Sequence, residues 1–353
     1  MDFIKIVFTG GPCAGKTTLI NRAKEYLIEK GYKVLVVPET ATNLLEIGIN
    51  LELVKSVIDF QNFIFQMQQF NENIVCEALK NEINQKVIIL LDRGLLDNKA
   101  YCNNSKDFDV ITKQNNKFEI DILDNYNLVF DLITTADCSP HKYTLENNKQ
   151  RSESIEEAKE IDKKTSNAWA GHRNIKIINS NVSLDKVFDI IKEDIDNYIE
   201  KASKKEIKKL SIDNNILDFD NYNDNNSRLL DIEETSLKIQ NKEIKYVLYK
   251  RVYKGGRSYI FRAIKEDENF VTTYYDEKIT LEKYLNLIFK YGIKDRICYK
   301  QLSFIENRQN YDIKFYQDST VLEYEENKLN SEFIFPSILK VNEKNDNNKI
   351  LLK

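Results

Sequence analysis

Cysteine and histidine are scarce: 5 Cys, at positions 13, 76, 102, 138 and 298, and 2 His, His141 and His172, among 353 residues. An odd, scattered cysteine set without a CxxC supports neither a disulfide framework nor a zinc site. Two histidines leave little room for His-rich metal chemistry. Long apolar runs are missing as well, and none approaches the roughly 20 residues that cross a bilayer. The opening MDFIKIVFTG is strand-like and lacks a cleavage region, so the expectation is no secretory signal and a cytoplasmic, reducing location. An excess of one charge is also absent. The 52 Lys and Arg against 56 Asp and Glu leave a net charge of −4. That balance argues against nucleic acid as a partner; peripheral membrane contact would need a local patch. Gly (10) and Pro (4) are few and Asn is plentiful, a composition bias that makes the Asn runs loops and not prion-like tracts. What is present is a hydrophobic content of 42% with 11% aromatics. That is ample for packed cores, and the length predicts two domains.

The first half alternates strand and helix patterns. Phe3–Phe8, Lys33–Pro38, Val87–Leu91, Asn127–Ile133 and Asn174–Asn179 are apolar runs that read as buried strands. Between them lie helical patterns at Lys16–Glu29, Leu51–Leu79, Ser152–Trp169 and Leu184–Glu200. Buried strands alternating with helices predict an α/β fold, a doubly wound parallel sheet, over residues 1–201. The polar stretch 202–228 reads as a linker. From 229 to 353 the period changes to two. A hairpin is expected around Gly255-Gly256, more strands follow, and one helix at Leu281–Tyr291 interrupts them. A small antiparallel barrel or sandwich is the expectation there.

The strongest signal is Gly10-Gly11-Pro12-Cys13-Ala14-Gly15-Lys16-Thr17-Thr18. It matches GxxxxGK[ST] and sits between an apolar strand and an amphipathic helix, the context a phosphate loop requires. Successive backbone N–H groups curl around phosphate oxygens, and the positive end of the following helix faces the same anion. Lys16 is expected on the β- and γ-phosphates and Thr17 on Mg²⁺. Cys13 reads as a small loop-filling residue.

Three further residues are candidates for catalysis. Asp92 ends the buried run VIILLD, where a carboxylate would meet Mg²⁺ or its water shell; Arg93 after it could touch phosphate or acceptor. Glu39 ends the second strand and would face the ligand crevice, as a base or, equally, as a helix-capping charge. Arg151, before a charged helix, could close over the γ-phosphate. Trp169 and His172 read as a packing anchor and a capping residue.

The segments GGPCAGKTT, VPETAT, DRGLLDNKAY, VFDLITTAD, NNKQRSES and AWAGH together resemble the NadR-like AAA-type P-loop domain. That domain is related to a ribosylnicotinamide kinase region and, more distantly, to nucleoside kinases. The second half, with IEETSLKI, LYKRVYKGGRSYIFRAIK, ITLEKYLNLI, CYKQLSF and VLEYEE, is similar to the translocation-defect (TRPL translocation) nucleotide-binding family. The resemblance implies a CYTH-like antiparallel barrel after the P-loop domain. It also implies nucleotide binding with GTP preferred, and phosphoinositide binding in some members. No NKxD motif is present, Asn98-Lys99-Ala100-Tyr101 lacking the Asp, so the residues leave GTP and ATP both open.

A triphosphate tunnel needs an ExExK strand that puts two carboxylates and a Lys on one inner face. The corresponding Asp231-x-Glu233-x-Thr235 lacks the Lys, and the next strand has Val247 and Tyr249 where an Arg pair is expected. Glu233, Arg251, Arg262, Lys265, Lys300 and Glu323 remain as candidates for a phosphorylated ligand in the barrel. The function expected is therefore Mg²⁺-dependent purine nucleoside triphosphate binding, with slow hydrolysis. The alternatives are a small-molecule kinase acting on a nucleoside-like acceptor, and a triphosphate hydrolase centred on the barrel.

Overall fold

Five apolar runs become five parallel strands: β1 (Phe3–Thr9), β2 (Lys33–Val37), β3 (Val87–Asp92), β4 (Leu128–Leu132) and β5 (Ile175–Ile178). This computed structural model describes residues 3–80, 86–138, 154–179, 182–200, 205–212, 226–241, 243–325 and 336–339. The chain divides into two units, Met1–Asp196 and Asn197–Lys353. In the first unit the strand order is β2-β3-β1-β4-β5. Ile6, Val7, Phe8, Leu90, Leu91, Val129 and Phe130 are wholly buried. Both sheet faces are covered, so successive side chains on either side enter apolar surroundings and the strands read as unbroken apolar runs. Register aligns Phe8 with Asp92 and Thr9 with Asp131. The carboxyl ends of the central strands thus finish together, where ligands of open α/β sheets bind.

The helices in order are α1 (Lys16–Glu29), α2 (Thr40–Glu46), α3 (Leu51–Val54), α4 (Val57–Ala78), α5 (Ser105–Gln114), α6 (Glu119–Leu123), α7 (Thr135–Cys138), α8 (Ile155–Ala168) and α9 (Leu184–Glu200). The single long helix expected over 51–79 is two helices. Lys55 takes the left-handed conformation (φ 58°), and Ser56 caps α4 by accepting from the Asp59 N–H at 3.2 Å. Apolar spacing continues across such a break, which is why periodicity alone joins the pieces. The start of α8 is a capping box: the Ser154 N–H donates to Glu157 Oε2 at 2.8 Å, and the Glu157 N–H donates to Ser154 Oγ at 3.3 Å. Leu95–Tyr101 forms a 3₁₀ segment directly after β3.

The second unit is a closed antiparallel barrel of eight strands. They are β6 (Lys205–Ile212), β7 (Ser227–Leu237), β8 (Lys245–Tyr253), β9 (Gly256–Glu266), β10 (Phe270–Ile279), β11 (Ile293–Glu306), β12 (Gln309–Phe315) and β13 (Thr320–Tyr324). Their order around the barrel is β10-β6-β13-β12-β11-β7-β8-β9. The charged run expected as linker therefore contains a barrel strand, β6. Its Lys209 pairs with Glu266 at 2.8 Å, so its charges are partners for the barrel and not a sign of an unfolded connection. Helix α10 (Leu281–Tyr291) lies on the barrel's outside. Its Tyr284, Leu287, Ile288 and Tyr291 pack on Leu237, Leu248 and Ile279. Among the described residues no helix is long and apolar enough to cross a membrane.

Candidate functional site

The loop between β1 and α1 has backbone geometry open to few sequences. Gly10 has φ 124°, and a Cβ there would lie 1.9 Å from the Leu132 carbonyl oxygen, so no other residue fits. Gly15, at φ 81°, turns the chain into α1. Cys13 is also left-handed, at φ 58°. The loop is gripped from behind: Thr134 Oγ1 donates to the Pro12 carbonyl, and Thr135 Oγ1 to the Cys13 carbonyl at 3.1 Å. From α8, Asp162 Oδ1 accepts from the Gly11 N–H at 2.7 Å and the Thr134 N–H at 3.1 Å. Ala14 is buried, and Thr18 is exposed on the first turn of α1. The buried Lys16 Nζ donates to the carbonyls of Gly10 (3.1 Å) and Gly11 (2.8 Å).

Strand ends bring the remaining candidates to this loop. Thr17 Oγ1 donates to Asp92 Oδ2 at 2.9 Å. Asp92 Oδ1 is buried with no hydrogen-bond partner. Burial pushes the Asp92 carboxyl up, against the lowering charge of Lys16. A buried carboxylate oxygen left unanswered beside a loop threonine suits a divalent ion. Mg²⁺ takes few protein ligands and keeps water and phosphate oxygens, so Thr17 and Asp92 are a sufficient protein set.

Glu39 stands two residues past β2, at the N-cap position of α2 but without a capping hydrogen bond from its side chain; its Oε1 accepts from Arg93 Nε at 2.7 Å and its Oε2 from Thr42 Oγ1 at 3.0 Å. Burial alone would raise the Glu39 carboxyl. The charges of Arg93 and Lys16, with hydrogen bonds from Arg93 and Thr42, prevail and hold it at about 2. Arg93 has a left-handed backbone (φ 75°), lies over the Tyr101 ring at 5.5 Å, and donates through Nη1 to the Gly10 carbonyl at 3.3 Å. Glu39, Asp92, Arg93, Lys16 and Thr17 thus share one site. Arg151 lies outside the described residues.

Three supporting residues escaped the sequence reading. Asp97 accepts from Thr9 Oγ1, from the Gly94 N–H at 2.6 Å and from Trp169 Nε1 at 3.4 Å, tying β1, the turn after β3 and the end of α8 together. Asp162 holds the loop as described, and Gln68 Nε2 of α4 donates to the Arg93 carbonyl at 2.9 Å. Apart from the Gly94–Asp97 contact, three residues apart, these contacts join distant parts of the chain; only DRGLLD, with its second carboxylate, hinted at Asp97. Trp169 is buried as a packing anchor, and His172 Nδ1 accepts from the Asn174 N–H at 3.2 Å, a turn-closing contact.

In the barrel the expected inner face is displaced by one residue. Asp231 and Glu233 point outward, where Asp231 meets Lys300 at 3.3 Å and Glu233 meets Lys250 and Arg296, each at 3.5 Å. Lys265 likewise sits outside, 4.0 Å from Glu243. The inward carboxylate of β7 is Glu234, opposite Tyr249. A shift of one residue exchanges the two faces of a strand. Here α10 covers part of the outer face, so both faces of β7 carry buried residues and alternation does not show which is which. Arg251 is buried. Arg262 pairs with Asp276 at 2.5 Å and lies 5.1 Å from the Tyr249 ring centre. Glu323 pairs with Lys314 at 2.8 Å. Arg262 and Lys314 are therefore cations already matched by carboxylates.

Comparison with known proteins gives likenesses to parts of the chain. The chain is 25% identical over 203 residues to a thymidylate kinase of Finegoldia magna, covering 52% of this chain and 93% of that protein. Two solved structures superpose on shorter stretches. A Pyrococcus horikoshii OT3 protein is 10% identical, covering 36% of this chain and 79% of its own, with a TM-score of 0.27. An inorganic triphosphatase is 13% identical, covering 38% and 84%, with a TM-score of 0.24. A family model described as AAA domain matches residues 5–185. That span takes in the phosphate loop, the β3 carboxylate and the α8 contacts that grip the loop, and the chain belongs to the AAA domain family.

Proposed function

We propose that the first unit binds a Mg²⁺ complex of a purine nucleoside triphosphate, ATP or GTP, and hydrolyses it slowly. The observation that carries this is the Thr17–Asp92 pair under the phosphate loop, with Asp92 Oδ1 buried and unanswered. Lys16, now on the Gly10 and Gly11 carbonyls, would turn to the β- and γ-phosphates. The loop amides and the α1 N-terminus would hold the remaining oxygens. Mg²⁺, when bound, supplies charge neutralisation across the phosphates; Thr17 and Asp92 would hold it. Arg93, held by Glu39, would place a positive charge beside the transferring group. Glu39 at about 2 is too weak a base to take a proton efficiently near neutrality, which favours slow turnover.

Phosphoryl transfer to a nucleoside-like hydroxyl acceptor is the second reading. The thymidylate kinase relative supports it, as do Glu39 and Arg93 at the strand ends, where an acceptor would displace their mutual ion pair. The barrel's part is a phosphorylated ligand such as an inositol lipid headgroup. Arg262 and Lys314 would bind it by exchanging their carboxylate partners for phosphate, with the buried Arg251 as a further cation; the translocation-defect likeness supports this part.

Calorimetry with the full chain, Mg²⁺ and each purine triphosphate tests the core claim. Binding of either one, lost in Lys16→Ala, is the expected result; heat from neither sinks the proposal. Diphosphate release that appears only when a hydroxyl acceptor is added would select the kinase.

A further inference from the structure

The turn after β3 carries Arg93, and side chains from other parts of the chain hold its backbone. Arg93 has φ 75°, a left-handed conformation that few residues other than glycine adopt. The guanidinium comes back to the phosphate loop, where Nη1 donates to the Gly10 carbonyl at 3.3 Å and Nε to Glu39 at 2.7 Å. The Arg93 carbonyl and the Gly94 N–H are the two polar ends of one planar peptide unit. Both are answered by buried side chains. Gln68 Nε2 of α4 donates to the carbonyl at 2.9 Å, and Asp97 Oδ2 accepts from the N–H at 2.6 Å. Gln68 is 4% exposed and Asp97 2%. The next peptide is tied to α4 as well. The Leu95 N–H donates to Tyr126 Oη at 3.0 Å, and that hydroxyl donates to Glu72 Oε1 at 2.8 Å. Gln68 and Glu72 are four residues apart, on one face of α4.

We propose that Gln68 is a positioning residue for phosphoryl transfer, an assignment that rests on the triphosphate reading of the first unit. Gln68 acts through the Arg93–Gly94 peptide and fixes where the Arg93 guanidinium stands at the phosphate loop. Rotating that peptide toward the extended conformation of β3 takes the Arg93 carbonyl off Gln68 and the Gly94 N–H off Asp97. It also swings the side chain away from Gly10. Without the Gln68 donor a buried carbonyl loses its partner, and the left-handed backbone loses part of what offsets its intrinsic cost. Arg93 then samples other positions. A charge that must meet the transferring group at the moment of reaction counts for less when it is not already in place. Lys16, Thr17, Asp92 and the loop amides hold the triphosphate itself in this scheme, so loss of Gln68 falls on turnover and not on affinity.

Single-turnover diphosphate release by the full chain with Mg²⁺–ATP and Mg²⁺–GTP tests this, beside calorimetry with the same nucleotides. Gln68→Met keeps the length of the side chain and removes the donor. Release should slow about 10- to 30-fold, with triphosphate affinity within about twofold of wild type. In an Arg93→Ala background the same substitution should change release by less than about twofold, because the group it positions is gone. A purely structural role for Gln68 slows both backgrounds alike. Trp169, whose ring lies against Gly94, reports the fold of each variant by fluorescence. Should Gln68→Met misfold, Gln68→Asn, which keeps the amide but shortens its reach by one carbon, takes its place in the same comparison. Unchanged release, equal slowing in both backgrounds, or affinity lost in step with turnover each overturns the proposal and leaves the triphosphate reading standing. A wild-type chain that binds neither nucleotide, or binds without releasing diphosphate, overturns that reading and this proposal together.

Discussion

Replacing Glu39 by glutamine removes the charge that the Arg93 guanidinium answers, and the structure sets the size of the effect. The pair is 2.7 Å long, with the Arg93 side chain 10% and the Glu39 side chain 22% exposed. Burial would raise the Glu39 carboxyl, yet Arg93 and Lys16 hold it at about 2 against an ordinary 4.5. At about 1.4 kcal/mol per pH unit, that lowering corresponds to about 3 kcal/mol of stability. Because the carboxyl is depressed in the folded state, the contribution is complete above pH 4.5. It disappears as pH falls through about 2. Arg93 keeps a contact with the Gly10 carbonyl at 3.3 Å and with Asp97 at 4.0 Å, so the loss at pH 7 should be about 2–3 kcal/mol. The assay is urea unfolding followed by tryptophan fluorescence. The chain has 1 Trp, and Trp169 is wholly buried in the first unit, so the signal reports that unit alone. The gap between wild type and Glu39→Gln should then close between pH 4.5 and about 2. A loss below about 0.5 kcal/mol at pH 7, or a gap indifferent to pH, refutes the argument.

Asp92→Asn separates stability from binding. The ionised carboxylate is disfavoured by its burial, so the variant should match or exceed wild-type stability by about 1 kcal/mol, while calorimetry shows Mg²⁺–triphosphate affinity down at least about tenfold. Gly10→Ala forces a methyl group to within 1.9 Å of the Leu132 carbonyl at φ 124°. A loss above about 3 kcal/mol in Trp169-monitored unfolding should follow. In the barrel, Lys314→Met strands Glu323, both side chains being 12% exposed. Circular dichroism melts should show about 3–5 kcal/mol lost, with Glu323→Leu added to Lys314→Met restoring most of it.

Local chemistry made the first unit readable. The run from Phe3 to Glu29 encodes strand, glycine turn and amphipathic helix within one supersecondary element, and the helix bounds Lys16–Glu29 match the spacing. Asp92 and Glu39 were legible because they close apolar runs, and strand ends gather at one edge of a parallel sheet. The break at Lys55 was not, because a left-handed residue and a serine cap leave the apolar period intact. Strand β6 hid in a charged run, because the barrel's interior accepts matched charges that composition assigns to a linker. The register of β7 hid for a related reason. Once α10 covers the outside of the barrel, neither face of the strand is consistently polar.

Sequence by itself thus determined the phosphate loop, the strand that feeds it and the helix that follows, since each depends on neighbours a few residues away. Tertiary structure alone decided that Arg93 answers Glu39, that Asp162 grips the loop while Asp97 joins Thr9 to Trp169, and that Glu234 faces the barrel interior while Glu233 does not. Those outcomes rest on which segments pack together and in what register, and no local pattern of residues carries that information.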